Sequence, residues 1–264
     1  MRKPVWTAVL VALVILGVAT AAFPSVAKCF EGRAQQRAGA NYSLLTDDLE
    51  AAARFSAAEQ YNREFPGITS LGYEEVLAVE KTDAVGRVRV PAARIDLPIY
   101  LGADPRTLEK GVGHLPESHL PVGGESTHSV LSAHTGLPLA SMFDSLPAVE
   151  VGDQIVVEVL GRDLAYEVTS TLVVLPEEVE DHLEVQVGED LLTLFTCTPY
   201  AVNSHRLLVT GARAADPVYK VPLEGAVSLD ATKVLVGAGS IGLGAVGLVA
   251  GRFTRSRRDV RQPH

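Results

Sequence analysis

Two long apolar runs flank a chain that is otherwise mixed. Residues 5–22 (VWTAVLVALVILGVATAA) and residues 234–251 (VLVGAGSIGLGAVGLVAG) contain no charged side chain. Eighteen helical residues rising 1.5 Å each span roughly 27 Å, close to the hydrocarbon thickness of a bilayer. Both runs therefore predict membrane-spanning helices, and membrane helices tolerate glycines of the kind that punctuate the second. Ala19, Thr20 and Ala21 have the small-x-small form of a cleavage site, so a removable signal peptide is the alternative reading of the first run. Next, residues 31–62 lack proline and place Leu45, Leu49, Ala52, Ala53 and Tyr61 at roughly helical spacing, with Thr46 or Asp47 as a candidate cap. Residues 63–72, with Pro66, Gly67 and Gly72, read as an irregular connector. Beyond it the pattern changes to short alternating runs at 87–90, 95–100, 129–133, 155–160, 164–175, 191–196 and 206–211. These predict an all-β domain, a closed barrel or sandwich, with a hairpin turning across Gly161, Arg162 and Asp163.

Charge sets the expected orientation. Arg2 and Lys3 precede the first run, and Arg252, Arg255, Arg257, Arg258 and Arg261 follow the second. The positive-inside rule places both ends in the cytoplasm and residues of about 28 to 230 outside. The net charge of −9 argues against a nucleic-acid partner, because phosphate binding needs a concentrated basic surface. Only Cys29 and Cys197 occur, which excludes a disulfide framework and a thiolate-rich zinc site. An acidic group, Glu177, Glu178, Glu180, Asp181 and Glu184, falls between two predicted strands as a solvated loop, with a calcium site or substrate-facing loop as the alternatives.

Candidate chemistry lies at the strand ends. The run 191–196 leads into Cys197, and Pro199, which has no amide hydrogen to donate, must end its ladder. Period-two alternation puts Thr193, Phe195 and Cys197 on one face. Arg206 opens the next run after a short loop, so its guanidinium can lie near the sulfur. A cation beside a thiol favours the nucleophilic thiolate. His134 ends another strand-like run just before Thr135, Gly136, Leu137 and Pro138, where a base is exposed on a rigid scaffold. His128 is a rival base on the same face of an extended strand, while His205 and His114 read as structural. Spacing alone leaves open a buried cysteine, a satisfied histidine and a surface arginine.

The sequence Thr193-Leu194-Phe195-Thr196-Cys197 resembles the TLxTC signature of sortases. The continuation from Thr198 through Arg206 to Gly211 resembles the class C, pilin-polymerising form. So do the segments beginning at Lys110 and Leu120 and the run from Thr127 to His134. The resemblance implies an eight-stranded β-barrel with N-terminal helices and, here, a transmembrane helix at each end. It implies a cysteine transpeptidase in which Cys197 attacks the Thr–Gly bond of an LPXTG-like sorting signal, His134 serves as acid and base, and Arg206 stabilises oxyanion charge or positions the peptide. A lysine amine of another pilin subunit resolves the thioacyl intermediate, with no cofactor and no metal. Thr196, Thr135 and Ser132 are the expected substrate contacts.

The domain plan has an anchor or signal peptide at 1–27, a helical and lid-like region at 28–84 and a catalytic barrel at 85–215. A linker at 216–233, the C-terminal span at 234–251 and a basic cytoplasmic tail at 252–264 follow. The implied location is the plasma membrane, with the barrel on the cell-wall side and pilin subunits as partners. Two departures from the class stand out. No Asp-Pro-aromatic lid motif is visible, Glu64 and Phe65 being the nearest substitutes, and Thr135 stands where arginine often follows the histidine. A housekeeping sortase that anchors proteins to peptidoglycan, and a non-catalytic envelope scaffold, are the competing readings.

Overall fold

The computed structural model describes residues 3–45, 49–67 and 72–214. The expected linker, C-terminal span and basic tail lie outside the described residues, as do Thr46 and Asp47. The chain divides into two compact units, one formed by residues 30–224, the other containing residues 3–29 among its described residues. In the latter, helix α1 (Lys3–Leu45) begins. Its segment from Val9 onward is long and apolar enough to cross a membrane, and Leu13, Ile15, Leu16 and Phe23 are exposed. The helix runs on past residue 27 without a break. Its later turns carry Ala, Gln, Glu and Arg, all good helix formers.

Within the larger unit, the last turns of α1 bury Gln35 and Tyr42, and the Tyr42 hydroxyl accepts the Leu160 N–H at 2.8 Å. Helix α2 (Leu49–Glu64) buries Ala51, Phe55, Ala58 and Tyr61 in the core. Ala52 and Ala53, which the sequence places among the helically spaced apolar positions, are both exposed. Alanines carry little apolar area, whereas Phe55 carries enough to decide which stripe turns inward.

A short helix α3 (Tyr73–Val76) leads into the strands β1 (Gly86–Val90) and β2 (Ile95–Leu101). Helix α4 (Pro105–Lys110) precedes β3 (Val112–His114) and β4 (Thr127–Ser132). Then come β5 (Gln154–Val159), β6 (Arg162–Val174), β7 (Asp190–Thr198) and β8 (His205–Arg213). They close into an eight-stranded barrel in the order β1-β2-β3-β4-β7-β8-β6-β5, with β1 pairing β5. The β2–β3 and β4–β7 pairs are parallel and the others antiparallel. Strand β3 escaped the pattern reading because three residues are too few to show alternation. Glycine is required inside it, since a Cβ on Gly113 would press on the Gly102 carbonyl. The β5–β6 hairpin turns on Leu160 and Gly161 instead of across Gly161, Arg162 and Asp163, because Arg162 and Asp163 already pair with Val159 and Glu158. Leu160 and Gly161 both have positive φ, as a two-residue primed turn needs.

Candidate active site

Strands β4, β7 and β8 are consecutive neighbours, and their ends meet at one rim of the barrel. In the β7–β8 pair Cys197 lies opposite Arg206 and Phe195 opposite Leu208. In the parallel β4–β7 pair the last assigned partners are Ser132 and Phe195. Two further bonds carry this register onward. The Ala133 N–H donates to the Phe195 carbonyl at 3.2 Å, and the Thr196 hydroxyl donates to the Ala133 carbonyl at 2.7 Å. His134 therefore falls opposite Cys197.

Opposed residues on neighbouring strands share a face of the sheet. Leu131, Ala133, Leu194, Leu207 and Val209 point into the core, so the alternate positions His134, Cys197 and Arg206 form one row on the outer face. Neighbouring strands are about 4.8 Å apart. All three residues are half-buried, which leaves the sulfur reachable from solvent. Further along that face Thr193 and Leu208 are buried, and His128 Nδ1 reaches the Glu184 carbonyl of the segment joining β6 to β7.

Local sequence explains why the row ends where it does. Pro199 takes the chain out of β7, and the Val202 and Asn203 N–H groups both donate to its carbonyl. Ala201 and Asn203 adopt left-handed backbone to turn back into β8. Arg206 Nη1 donates to the carbonyls of Asn203 and His205, each at 3.0 Å, which fixes the guanidinium near the Cys197 end of the strand pair.

The other barrel histidines are held differently. His114 is fully buried between the Tyr73 hydroxyl, 2.8 Å from Nδ1, and the His119 carbonyl, 2.7 Å from Nε2. Burial pushes its pKa down to about 4, with the neighbouring His119 ring acting in the same direction and the bond to the His119 carbonyl opposing. His119 and His128 are likewise depressed, chiefly by desolvation. His128 Nε2 is 2.8 Å from the Thr193 hydroxyl, so the rival base has both ring nitrogens engaged.

Of the expected substrate contacts, Ser132 is buried on the same outer face as His134, and Thr135 is buried with its hydroxyl on Asp144 at 3.3 Å. Thr196 is 1% exposed and faces inward, with its hydroxyl bracing the backbone beside His134. At the end of α2 Phe65 packs edge-on against His119 and stacks on Tyr61, while the Tyr73 hydroxyl of α3 contacts His114. The acidic segment from Glu177 to Glu184 forms exposed single turns. Asp144 and Phe143, which close the loop after His134, carried no spacing signal in the sequence.

The sortase domain family matches residues 88–214. Among solved structures the chain is similar to sortase C-1 of Actinomyces oris, at 44% identity and a TM-score of 0.59, covering 64% of this chain and 100% of that one. It is also similar to sortase C of Streptococcus pneumoniae, whose structure bears on catalysis and pilin substrate specificity. Identity there is 38% and the TM-score 0.61, with 70% of this chain and 96% of that one covered. Sortase A of Bacillus anthracis is 25% identical over 174 residues, 63% of this chain and 79% of that protein.

Proposed function

This chain belongs to the sortase family of cysteine transpeptidases, and from that premise we propose that it polymerises pilins, with Cys197 as nucleophile, His134 as acid and base and Arg206 as the oxyanion partner. The observation that carries this reading is the outer-face row in which His134, just past the end of β4, and Arg206 of β8 flank Cys197 of β7. The class C likeness of the solved neighbours supports the pilin substrate.

The geometry supports the following sequence of steps. The Cys197 thiolate attacks the carbonyl carbon between Thr and Gly of an LPXTG-like signal, and negative charge moves onto the carbonyl oxygen. In this reading the Arg206 guanidinium, held by the Asn203 and His205 carbonyls, stabilises that charge. Collapse breaks the C–N bond as His134 gives a proton to the departing amine, leaving a thioester on Cys197. A lysine amine of a second pilin then attacks the thioester. His134 takes its proton, the sulfur leaves, and an isopeptide bond remains. The thioester conserves the free energy of the cleaved peptide bond, so the transfer needs no ATP.

The apolar start of α1 supports anchoring in the plasma membrane. Basic residues at both chain ends support cytoplasmic termini with the barrel on the cell-wall side. The direct test mixes the full chain in detergent with an LPXTG-like peptide and measures the intact mass. The expected result is a thioester adduct on Cys197 that is absent in Cys197→Ala and formed about 100-fold or more slowly in His134→Ala. Adduct formation persisting in Cys197→Ala would sink the assignment. Transfer to a peptidoglycan amine in preference to a pilin lysine would replace pilin joining by cell-wall anchoring.

A further inference from the structure

The loop after His134 is closed by its own far end, and one charged side chain in that closure has no part in the steps above. The Phe143 N–H donates to the His134 carbonyl at 3.0 Å. One residue on, Asp144 Oδ1 accepts the Gly136 N–H at 2.8 Å and the Thr135 hydroxyl at 3.3 Å. The closing end is itself pinned, because Phe143 and Leu146 are fully buried and the Ser145 hydroxyl donates to the Ala93 carbonyl at 2.7 Å. On its other side the turn lies against the β7–β8 loop. Gly136 has φ +78°, and a Cβ there would come within 3.2 Å of the Ala201 nitrogen.

His134 thus sits between two fixed points. Upstream, the bonds of Ala133 tie it to β7; downstream, a carboxylate grips the next two residues. We propose that Asp144 is a positioning residue, whose carboxylate holds Thr135 and Gly136 so that the His134 imidazole stays on the rim beside Cys197. This rests on the reading of His134 as the acid and base. A bond from a peptide N–H to a carboxylate is charge-assisted and stronger than one to a neutral acceptor. The aspartate side chain is short, so the turn cannot drift without breaking that bond. Displacing a reacting group by about 1 Å can cost on the order of 100-fold in rate.

The test measures peptide-to-amine transfer by the full chain in detergent, for wild type, Asp144→Ala, Asp144→Asn, Asp144→Glu, His134→Ala and the His134→Ala/Asp144→Ala double variant. Asp144→Ala is expected to lower kcat by about 10- to 100-fold with KM within about twofold. Asp144→Asn keeps an acceptor oxygen in place and stays within about threefold of wild type. Asp144→Glu keeps the charge but pushes the turn outward by one methylene, so its kcat falls as well, which preserves the test if the alanine variant does not fold. In the His134→Ala background, removing Asp144 causes no further loss. Wild-type turnover in Asp144→Ala or Asp144→Glu overturns the positioning role, as does an equal loss in both backgrounds. Wild-type turnover in His134→Ala instead overturns the underlying assignment of His134.

Discussion

His114 offers a test of how the barrel uses its histidines. Folding carries this ring from water into a fully buried site, where its pKa falls from the ordinary 6.5 to about 4. The Nε2 atom faces the His119 carbonyl and must carry the hydrogen, which leaves Nδ1 as acceptor for the Tyr73 hydroxyl. A second proton would have to sit on Nδ1, facing an oxygen that already accepts the Gly102 N–H. Because the folded pKa lies below the unfolded one, the unfolded chain binds the proton more readily. Stability is therefore whole above about pH 6.5, declines as the pH falls towards 4 and has lost the full contribution below that. A gap of about 2.5 units at 1.36 kcal/mol each corresponds to about 3 kcal/mol. For a domain of this size that is a Tm change of roughly 6–12 °C. His114→Gln removes the titration, while its amide can still donate to the His119 carbonyl and accept from Tyr73. Thermal melts of both proteins from pH 7.5 to pH 4 cancel the carboxylates and His119, which titrate in each. The wild-type advantage over the variant should shrink by that margin on acidification. Melting curves whose midpoints stay parallel across the range would refute the reasoning.

Three further substitutions probe the frame of the site. Thr196→Val removes the hydroxyl that donates to the Ala133 carbonyl and should cost about 1–2 kcal/mol, read as a drop in urea midpoint, with slower peptide transfer as the strand end beside His134 loosens. Gly113→Ala drives a methyl group onto the Gly102 carbonyl and the Leu108 side chain, and should lower stability by about 1–3 kcal/mol in the same assay. Asp96→Ala breaks a two-pronged pair in which Arg87 Nε and Nη2 meet the carboxylate at 2.6 and 2.8 Å, with only 5% of the aspartate side chain exposed. A loss of about 3 kcal/mol in chemical denaturation is expected, and an unchanged midpoint would show that the pair contributes nothing net.

Much of the site was legible one residue at a time. Pro199 marks the end of β7 whatever the fold, because it cannot donate to a ladder, and alternation puts Thr193, Phe195 and Cys197 on a common face. The apolar run at the N-terminus announces a helix able to cross a bilayer from length and composition alone. Motif likeness supplied the rest, naming Cys197, His134 and Arg206 where spacing left bland alternatives open. Particular elements stayed hidden for particular reasons. Strand β3 is too short to show a period, the buried face of α2 was set by the bulk of Phe55, and Asp144 falls in a loop where no period applies.

What the chain determines by itself is local: where strands start and stop, which side chains share a face, and which segments are too apolar for water. Which strands lie side by side was decided only by closing the barrel. His134 and Cys197 are far apart in sequence, and they meet because β4 pairs in parallel with β7, a choice that no period within either strand encodes. The same closure separated the histidines, sealing His114, His119 and His128 among backbone and hydroxyl partners while leaving His134 half-open at the rim. Burial is a property of the packed whole, so identical imidazoles became sealed or solvent-accessible only when the tertiary structure assigned each its share of water.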